Sequence, residues 1–234
     1  MKPLPYRPIT VAPALLLVAT FFCVPAARAA QTPAKASASV NASSGGPTIT
    51  FRKVFKTSYP EFVEIKVTPS GSGTFDIRQL DDDPNPQSFE VSPALAQKIF
   101  DLAGKLHDFQ GVDLEVHKRL ANLGEKTFRY DNGAENHQAT FNYTLDPTAA
   151  QLQSLFEGLT REESDLADLQ RTMRYDHLGV NDAVTQIQSD YESKQLPEPD
   201  RFLPLLDQLA ANTQFIDIAR DRARTLAGQI RSTH

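Results

Sequence analysis

The hydrophobic pattern of this chain changes once along its length, and that change limits the folds open to it. Residues 48–160 combine strand-like alternation with helix-like spacing, whereas residues 161–234 carry helix-like spacing only. An antiparallel sheet with two packed helices, followed by an all-helical C-terminal region, satisfies both parts. The sequence therefore predicts an α+β fold, with an α+β domain over 48–160 and a helical region over 161–234.

The strand-like segments alternate apolar and polar residues and are separated by turn residues. They are residues 49–55, 62–67, 74–80, 126–130 and 139–145. The first three predict an antiparallel meander. Between the last two, Asn132-Gly133 favours a tight hairpin turn.

Two of the predicted helices begin with the same signal, an N-cap residue followed by proline, at Ser92-Pro93 and at Asp146-Pro147. Strands followed by such a helix thus occur twice. This is consistent with a ββα duplication, or equally with two ordinary helix starts. The later predicted helices are residues 161–174, 181–194, 200–211 and 214–231, and Asp165, Asp182 and Asp200 lie near helix starts, where the helix dipole favours acidic groups.

The N-terminus predicts a secretory signal peptide over residues 1–29. Lys2 and Arg7 precede the apolar stretch 14–24, and Ala27-Arg28-Ala29 supplies a cleavage site with small residues. We therefore expect an exported protein, periplasmic or extracellular, with an uncleaved anchor as the alternative. Residues 30–47, rich in Ala, Ser and Pro, predict a disordered linker.

Cleavage at this site would change the chemistry of the chain. It would remove Cys23, the one cysteine, and with it disulfides, thiolate metal sites and cysteine catalysis. It would also remove three of the 24 basic residues and none of the 29 acidic ones, which lowers the formal net charge from −5 to −8. We expect no nucleic-acid partner, because phosphate neutralisation dominates such binding. We also expect no membrane span after cleavage.

The strongest metal-site alternative is the acidic loop Asp81, Asp82 and Asp83, since calcium prefers oxygen ligands. The EF-hand pattern fails, because its glycine is absent and position 92 is Ser rather than Glu. A solvated loop is the preferred interpretation. Phosphate-cradle, zinc-protease and serine-hydrolase motifs are also absent from the sequence, so it predicts no cofactor.

The best hydrolytic arrangement uses Asp131, Glu135 and His137 around the predicted hairpin. It has no activated nucleophile, and hairpin tips are generally exposed, which leaves little burial to tune a general base. We therefore assign no catalytic residue and lean towards a protein that is not an enzyme.

Two resemblances follow from these segments. Residues 49–84, 98–104 and 121–130 resemble hypothetical exported proteins of environmental bacteria, which have no assigned function, so the resemblance implies no activity. The order strand, strand, helix, strand, strand, helix, with Phe51 and Arg52 in the first strand, resembles emfourin-like inhibitors of thermolysin-type proteases. The Gly-rich turn of that pattern is replaced here by Val54 to Pro60, so no inhibitory residue carries over.

Three functions follow as hypotheses. The preferred one is a non-enzymatic exported module that binds another envelope or secreted protein. The second is a protease-inhibitor-like module. The third is a hydrolase that uses dispersed Asp, Glu and His residues.

Overall fold

A computed structural model describes residues 46–233 of the chain. The predicted signal peptide, 1–29, and nearly all of the predicted linker, 30–47, lie outside the described residues. Within them, a six-stranded antiparallel sheet precedes a purely helical C-terminal part, which confirms the α+β fold class.

The sheet has the spatial order β4-β3-β2-β1-β5-β6, and every neighbouring pair is antiparallel. Its strands are β1 (Thr48–Val54), β2 (Phe62–Val67), β3 (Ser72–Arg78), β4 (Gln87–Glu90), β5 (Glu125–Asp131) and β6 (Asn136–Phe141). The predicted meander is therefore present, and it gains β4. β4 was not predicted, because only one of its four residues, Phe89, is buried. A single buried residue does not produce an alternating pattern.

The strand register gathers the alternating apolar residues on one face of the sheet. Phe51 lies opposite Ile65 on one side and Phe128 on the other, and all three are fully buried. Because directly opposed residues of an antiparallel pair point to the same face, this register commits that face to the core. Phe156, from a helix that covers the face, stacks on Phe51 with ring centroids 5.3 Å apart.

Five α-helices accompany the sheet in the described part of the chain. They are α1 (Pro93–Lys105), α2 (Pro147–Tyr175), α3 (Val180–Glu192), α4 (Leu203–Ala211) and α5 (Asp217–Ser232), with short 3₁₀ turns at His107–Phe109 and Pro199–Phe202. Both predicted cap signals are confirmed. The Ser92 hydroxyl accepts the N–H of Leu95, and the Asp146 carboxylate accepts the N–H groups of Thr148 and Ala149.

Four strands precede α1 and two precede α2, so the units ahead of the two helices differ in size. The final hairpin also differs from its prediction. Its second strand is 136–141 rather than 139–145, because the Asn132 N–H bonds to the carbonyl oxygen of Glu135 and closes a four-residue turn. Gly133, at φ 85°, provides the left-handed residue of that turn.

Helix α2 is longer than the sequence suggested, and this corrects the predicted helix start at residue 161. The helix runs without interruption through Arg161 and Asp165, so Asp165 lies in mid-helix. Its first half packs in a core with the sheet and α1, and its second half in a core with α3, α4 and α5. Helix α2 thus belongs to both cores, and the division of domains at residue 160 stays a prediction.

Candidate functional site

The acidic loop predicted as the strongest metal alternative lies between β3 and β4 and is exposed. Within it, Asp82 closes the turn: its carboxylate accepts the N–H of Gln79, and its carbonyl oxygen accepts the guanidinium of Arg78. Asp81 and Asp83 are exposed beside it. Among residues 46–233, no group of three or more His, Cys, Asp and Glu side chains is placed to hold a metal ion.

The hairpin residues Asp131, Glu135 and His137 do not converge. His137 lies opposite Tyr130 and stacks on its ring, with ring centroids 6.5 Å apart. Asp131 is the next residue along β5, so it points to the other face of the sheet. There it accepts hydrogen bonds from Arg129 and from the N–H of Gly133, and both bonds lower the pKa of Asp131. Glu135 accepts instead from Asn132.

A cleft of about 500 Å³ lies where α2 and α3 approach β3 and the loop before β2, and we call it the acidic cleft. Its apolar wall is formed by Tyr59, Pro60, Phe75 and Ile77. Four carboxyl groups and two guanidinium groups also line it: Asp82, Glu163, Asp165, Asp168, Arg78 and Arg171. No spacing in the sequence predicts that these residues lie together.

Most charges of the acidic cleft are already neutralised locally. Arg171 pairs with Asp168, with 2.6 Å between nitrogen and oxygen, and Arg78 pairs with Asp76 at 3.0 Å. Glu163 pairs with Arg201 at 2.5 Å. Asp165 is different, because no described cation forms an ion pair with it and its neighbour is a second carboxyl, that of Asp190.

A second carboxyl lies beside Asp165. Asp190 of α3 is almost fully buried and accepts from Gln186 at 2.8 Å, while the Arg161 guanidinium lies 3.5 Å from its other oxygen. Burial raises the pKa of Asp165 to about 7, and the neighbouring Asp190 carboxyl adds to this rise. Near neutral pH Asp165 is therefore only partly ionised.

Glu162 and Glu163 form a related buried group on α2. Burial raises the pKa of both, that of Glu162 to about 7. Arg201 is the cation beside them, 3.5 Å from Glu162, and it also lies over the ring of Phe89 at 5.7 Å. One guanidinium opposes two carboxyls here as well, so the desolvation of Glu162 outweighs its ion pair.

This buried group connects the two cores. The Glu162 carboxylate accepts the N–H of Glu198 at 2.5 Å, and the Glu198 carboxylate accepts the N–H of Ser92, the N-cap residue of α1. A chain of hydrogen bonds thus runs from α2 through the segment before α4 to α1. The residues of the sheet core and of the helical core are joined at this point by polar contacts.

One sequence signal could have revealed this cluster. The buried residues Leu152, Phe156, Leu159 and Leu169 follow helical spacing along α2, and the next positions of that stripe after Leu159 are Glu162 and Glu163. A carboxylate at a position that the pattern reserves for an apolar residue predicts a buried charge. The predicted helix start at 161 hid this signal, because it made the acidic residues look like a first helical turn.

A larger groove of about 610 Å³ lies near the end of β1 and is lined by Val54, Phe55, Leu120 and Phe141 among others. Its residue Glu115 is occupied as an acceptor for the N–H of Asn142. None of the lining side chains described there has a buried polar atom without a partner. The acidic cleft is therefore the better candidate for chemistry.

No helix among the described residues is long and apolar enough to cross a membrane. No protein-family model matches this chain, and no curated protein matches its sequence.

Proposed function

We propose that this protein is a non-enzymatic, exported protein-binding module whose acidic cleft receives a lysine or arginine side chain of another envelope or secreted protein. The observation that carries the proposal is the Asp165 carboxyl, which lines an open cleft, has no ion pair with a described residue and has the buried Asp190 carboxyl as its neighbour. Two carboxyls this close cost free energy when both are ionised. A bound cation recovers that cost by forming a charge-assisted hydrogen bond.

The walls of the cleft suit the rest of such a side chain. Lysine and arginine carry apolar stems that pack on apolar surface while the charged head stays among polar groups. Phe75 and Ile77 offer that surface beside the carboxyls, and Tyr59, 89% exposed, lies at the same cleft. A cation can also contact the face of its ring. The acidic balance of the chain favours the approach of a basic partner.

The test is a titration of the full chain with N-acetylarginine amide, followed by amide chemical shifts in NMR, with N-acetylglutamine amide as the uncharged reference. We expect shifts on α2 and α3 around Asp165, and tighter binding at pH 8 than at pH 5, because Asp165 must lose its proton to pair with the ligand. Asp165→Asn should weaken binding by about tenfold or more. Asp101→Asn, an exposed change on α1, should leave it unaltered.

Equal affinity for the arginine and glutamine derivatives, or unchanged affinity in Asp165→Asn, would refute the proposal. For a macromolecular partner, cross-linking in the native envelope should yield a partner that the native chain and Asp101→Asn both capture and that Asp165→Asn loses.

The hydrolase hypothesis is the second candidate, and one observation favours it. A carboxyl whose pKa is about 7, as for Asp165, can serve as a general acid near neutral pH, and Glu163 lines the same cleft. This candidate predicts turnover of an ester, peptide or glycoside substrate that Asp165→Asn abolishes and Asp101→Asn retains. Binding of the arginine derivative without turnover on such a panel would favour the binding module.

A further inference from the structure

A second cleft, which Asp165 does not line, has the opposite charge. It holds about 470 Å³ and lies where α1, α2 and the segment after α3 meet. Three cationic side chains line it, one from each of these elements: Lys98, Arg161 and Lys194. In a chain with more acidic than basic residues, this local excess of positive charge runs against the overall balance.

The charges of this cleft are largely uncompensated. The side chains of Lys98 and Lys194 have no ion pair or hydrogen bond to any other described residue. Arg161 has a partial partner, since it lies 3.5 Å from Asp190. Glu157 is the carboxylate that lines the cleft, and it is engaged by Lys53 at 3.4 Å and by Gln153 at 3.1 Å.

Lys194 occupies a backbone position that favours glycine. It follows the C-cap of α3 at φ 56°, its N–H bonds to the carbonyl oxygen of Tyr191, and the N–H of Gln195 bonds to that of Asp190. These two bonds form a Schellman motif, whose left-handed residue is usually glycine. Lysine is less stable than glycine in this backbone conformation, which suggests that the charge of Lys194 has a role.

The wall that carries Lys194 is held close to α2. The Gly158 position lies against Pro197, and a Cβ atom built there would come within 2.7 Å of the proline ring. The segment after α3 can therefore approach α2 only because residue 158 has no side chain. This contact fixes the distance between the helix that bears Arg161 and the segment that bears Lys194.

We propose that this cleft binds a tetrahedral oxyanion, a phosphate or sulfate group, between Lys98, Arg161 and Lys194. Such an anion offers several acceptor oxygens, which matches cations that converge from three elements. Ser154, Gln151 and Gln195 also line the cleft and can donate further hydrogen bonds. Arg161 also lies beside Asp190 and so connects this cleft to the acidic cleft, whereas Lys98 and Lys194 do not line the acidic cleft. Variants of these two lysines therefore test the anion site alone, and either assignment can fail without the other.

The test is a titration of the full chain with inorganic phosphate and, separately, with glycerol 3-phosphate, against sodium chloride at equal ionic strength. Amide shifts should appear at Lys98, Arg161 and Lys194. Lys194→Gly is the decisive variant, because glycine fits the left-handed backbone and removes the charge without endangering the fold. It should weaken phosphate binding about fivefold, as should Lys98→Gln, while Lys105→Gln, an exposed change on α1, should not.

Both outcomes of the ligand comparison support the site and identify its source of phosphate. Tighter binding of glycerol 3-phosphate assigns it to a phosphate carried on an organic molecule, and equal binding assigns it to the free anion. The proposal is wrong if chloride produces the same shifts as phosphate, or if Lys194→Gly and Lys98→Gln bind phosphate as the native chain does.

Discussion

The two halves of helix α2 bury different kinds of side chain along one continuous face. Up to Leu159 the buried side chains are apolar, and Phe156 is fully enclosed among the rings of Phe51 and Phe128. Beyond it the stripe buries Glu162 and Glu163 before apolar packing resumes at Leu169. The same helix is therefore held by the hydrophobic effect at one end and by a polar cluster in its middle.

The difference determines which part of the fold depends on pH. Apolar burial is insensitive to pH, whereas a buried carboxyl stabilises or destabilises according to its proton. The contact between the sheet core and the helical core passes through the polar part. We therefore expect the connection between the cores to respond to pH while the sheet core itself does not.

The largest effect should come from the apolar half. Phe156→Ala removes a fully buried ring and leaves a cavity against Phe51, so it should lower the free energy of unfolding by about 3–5 kcal/mol. Chemical denaturation of the full chain measures this. Phe100→Ala, which truncates a partly buried ring on α1, should cost clearly less. Equal losses in the two variants would contradict the central place of Phe156.

The second effect concerns the polar half. The pKa of Glu162 is raised from its ordinary 4.5 to about 7 in the folded state, so between these values the folded protein holds a proton that the unfolded chain has released. This contribution to stability is fully present below pH 4.5 and is lost as the pH rises through 7, a change of about 3 kcal/mol.

Denaturation curves from pH 5 to pH 8 measure that change. The native chain should lose stability across this range, and Glu162→Gln should make the curve less steep, because glutamine carries no titrating proton. The slope that remains comes from Asp165 and Glu163, whose pKa values burial also raises. Glu192→Gln, an exposed change at the end of α3, should leave the slope of the native chain intact. A native stability that rises from pH 5 to pH 8 would show that Arg201 keeps Glu162 ionised.

The smallest effect separates two helical glycines. Gly158→Ala places a methyl group 2.7 Å from the Pro197 ring and should destabilise the protein by about 1–2 kcal/mol, even after the better helix propensity of alanine. Gly228→Ala on α5 meets nothing within 4 Å and should stabilise it by roughly 0.5–1 kcal/mol. Thermal unfolding of both variants gives the comparison, and a loss of the same size at Gly228 would undermine it.

Much of the fold could be predicted because local patterns carried it. The alternation in β1, β2 and β3 and the proline-marked caps at Ser92 and Asp146 each depend on neighbours within a few residues. β4 could not be predicted because it is short and mostly exposed, and only its pairing with β3 makes it a strand. The continuity of α2 was not predicted because the acidic residues in its middle resemble the first turn of a helix.

The candidate sites could not be predicted in the same way. Asp165 and Asp190 lie on different helices, and Lys98 and Lys194 are almost a hundred positions apart, so no spacing in the sequence connects them. The residues that the sequence did single out, Asp131, Glu135 and His137, are close in sequence. The strand geometry nevertheless sends Asp131 and His137 to opposite faces of the sheet.

The sequence by itself determined the fold class, the capped starts of α1 and α2 and most of the strands, because these depend on periodicity and on residues next to one another. Only the tertiary structure decided that Glu162 is buried, that Asp165 is half-buried, and that Lys194 takes a left-handed backbone beside α2. The physical reason is that burial and charge pairing depend on distance in space. Helix α2 places one acidic run against two cores, which no local pattern encodes.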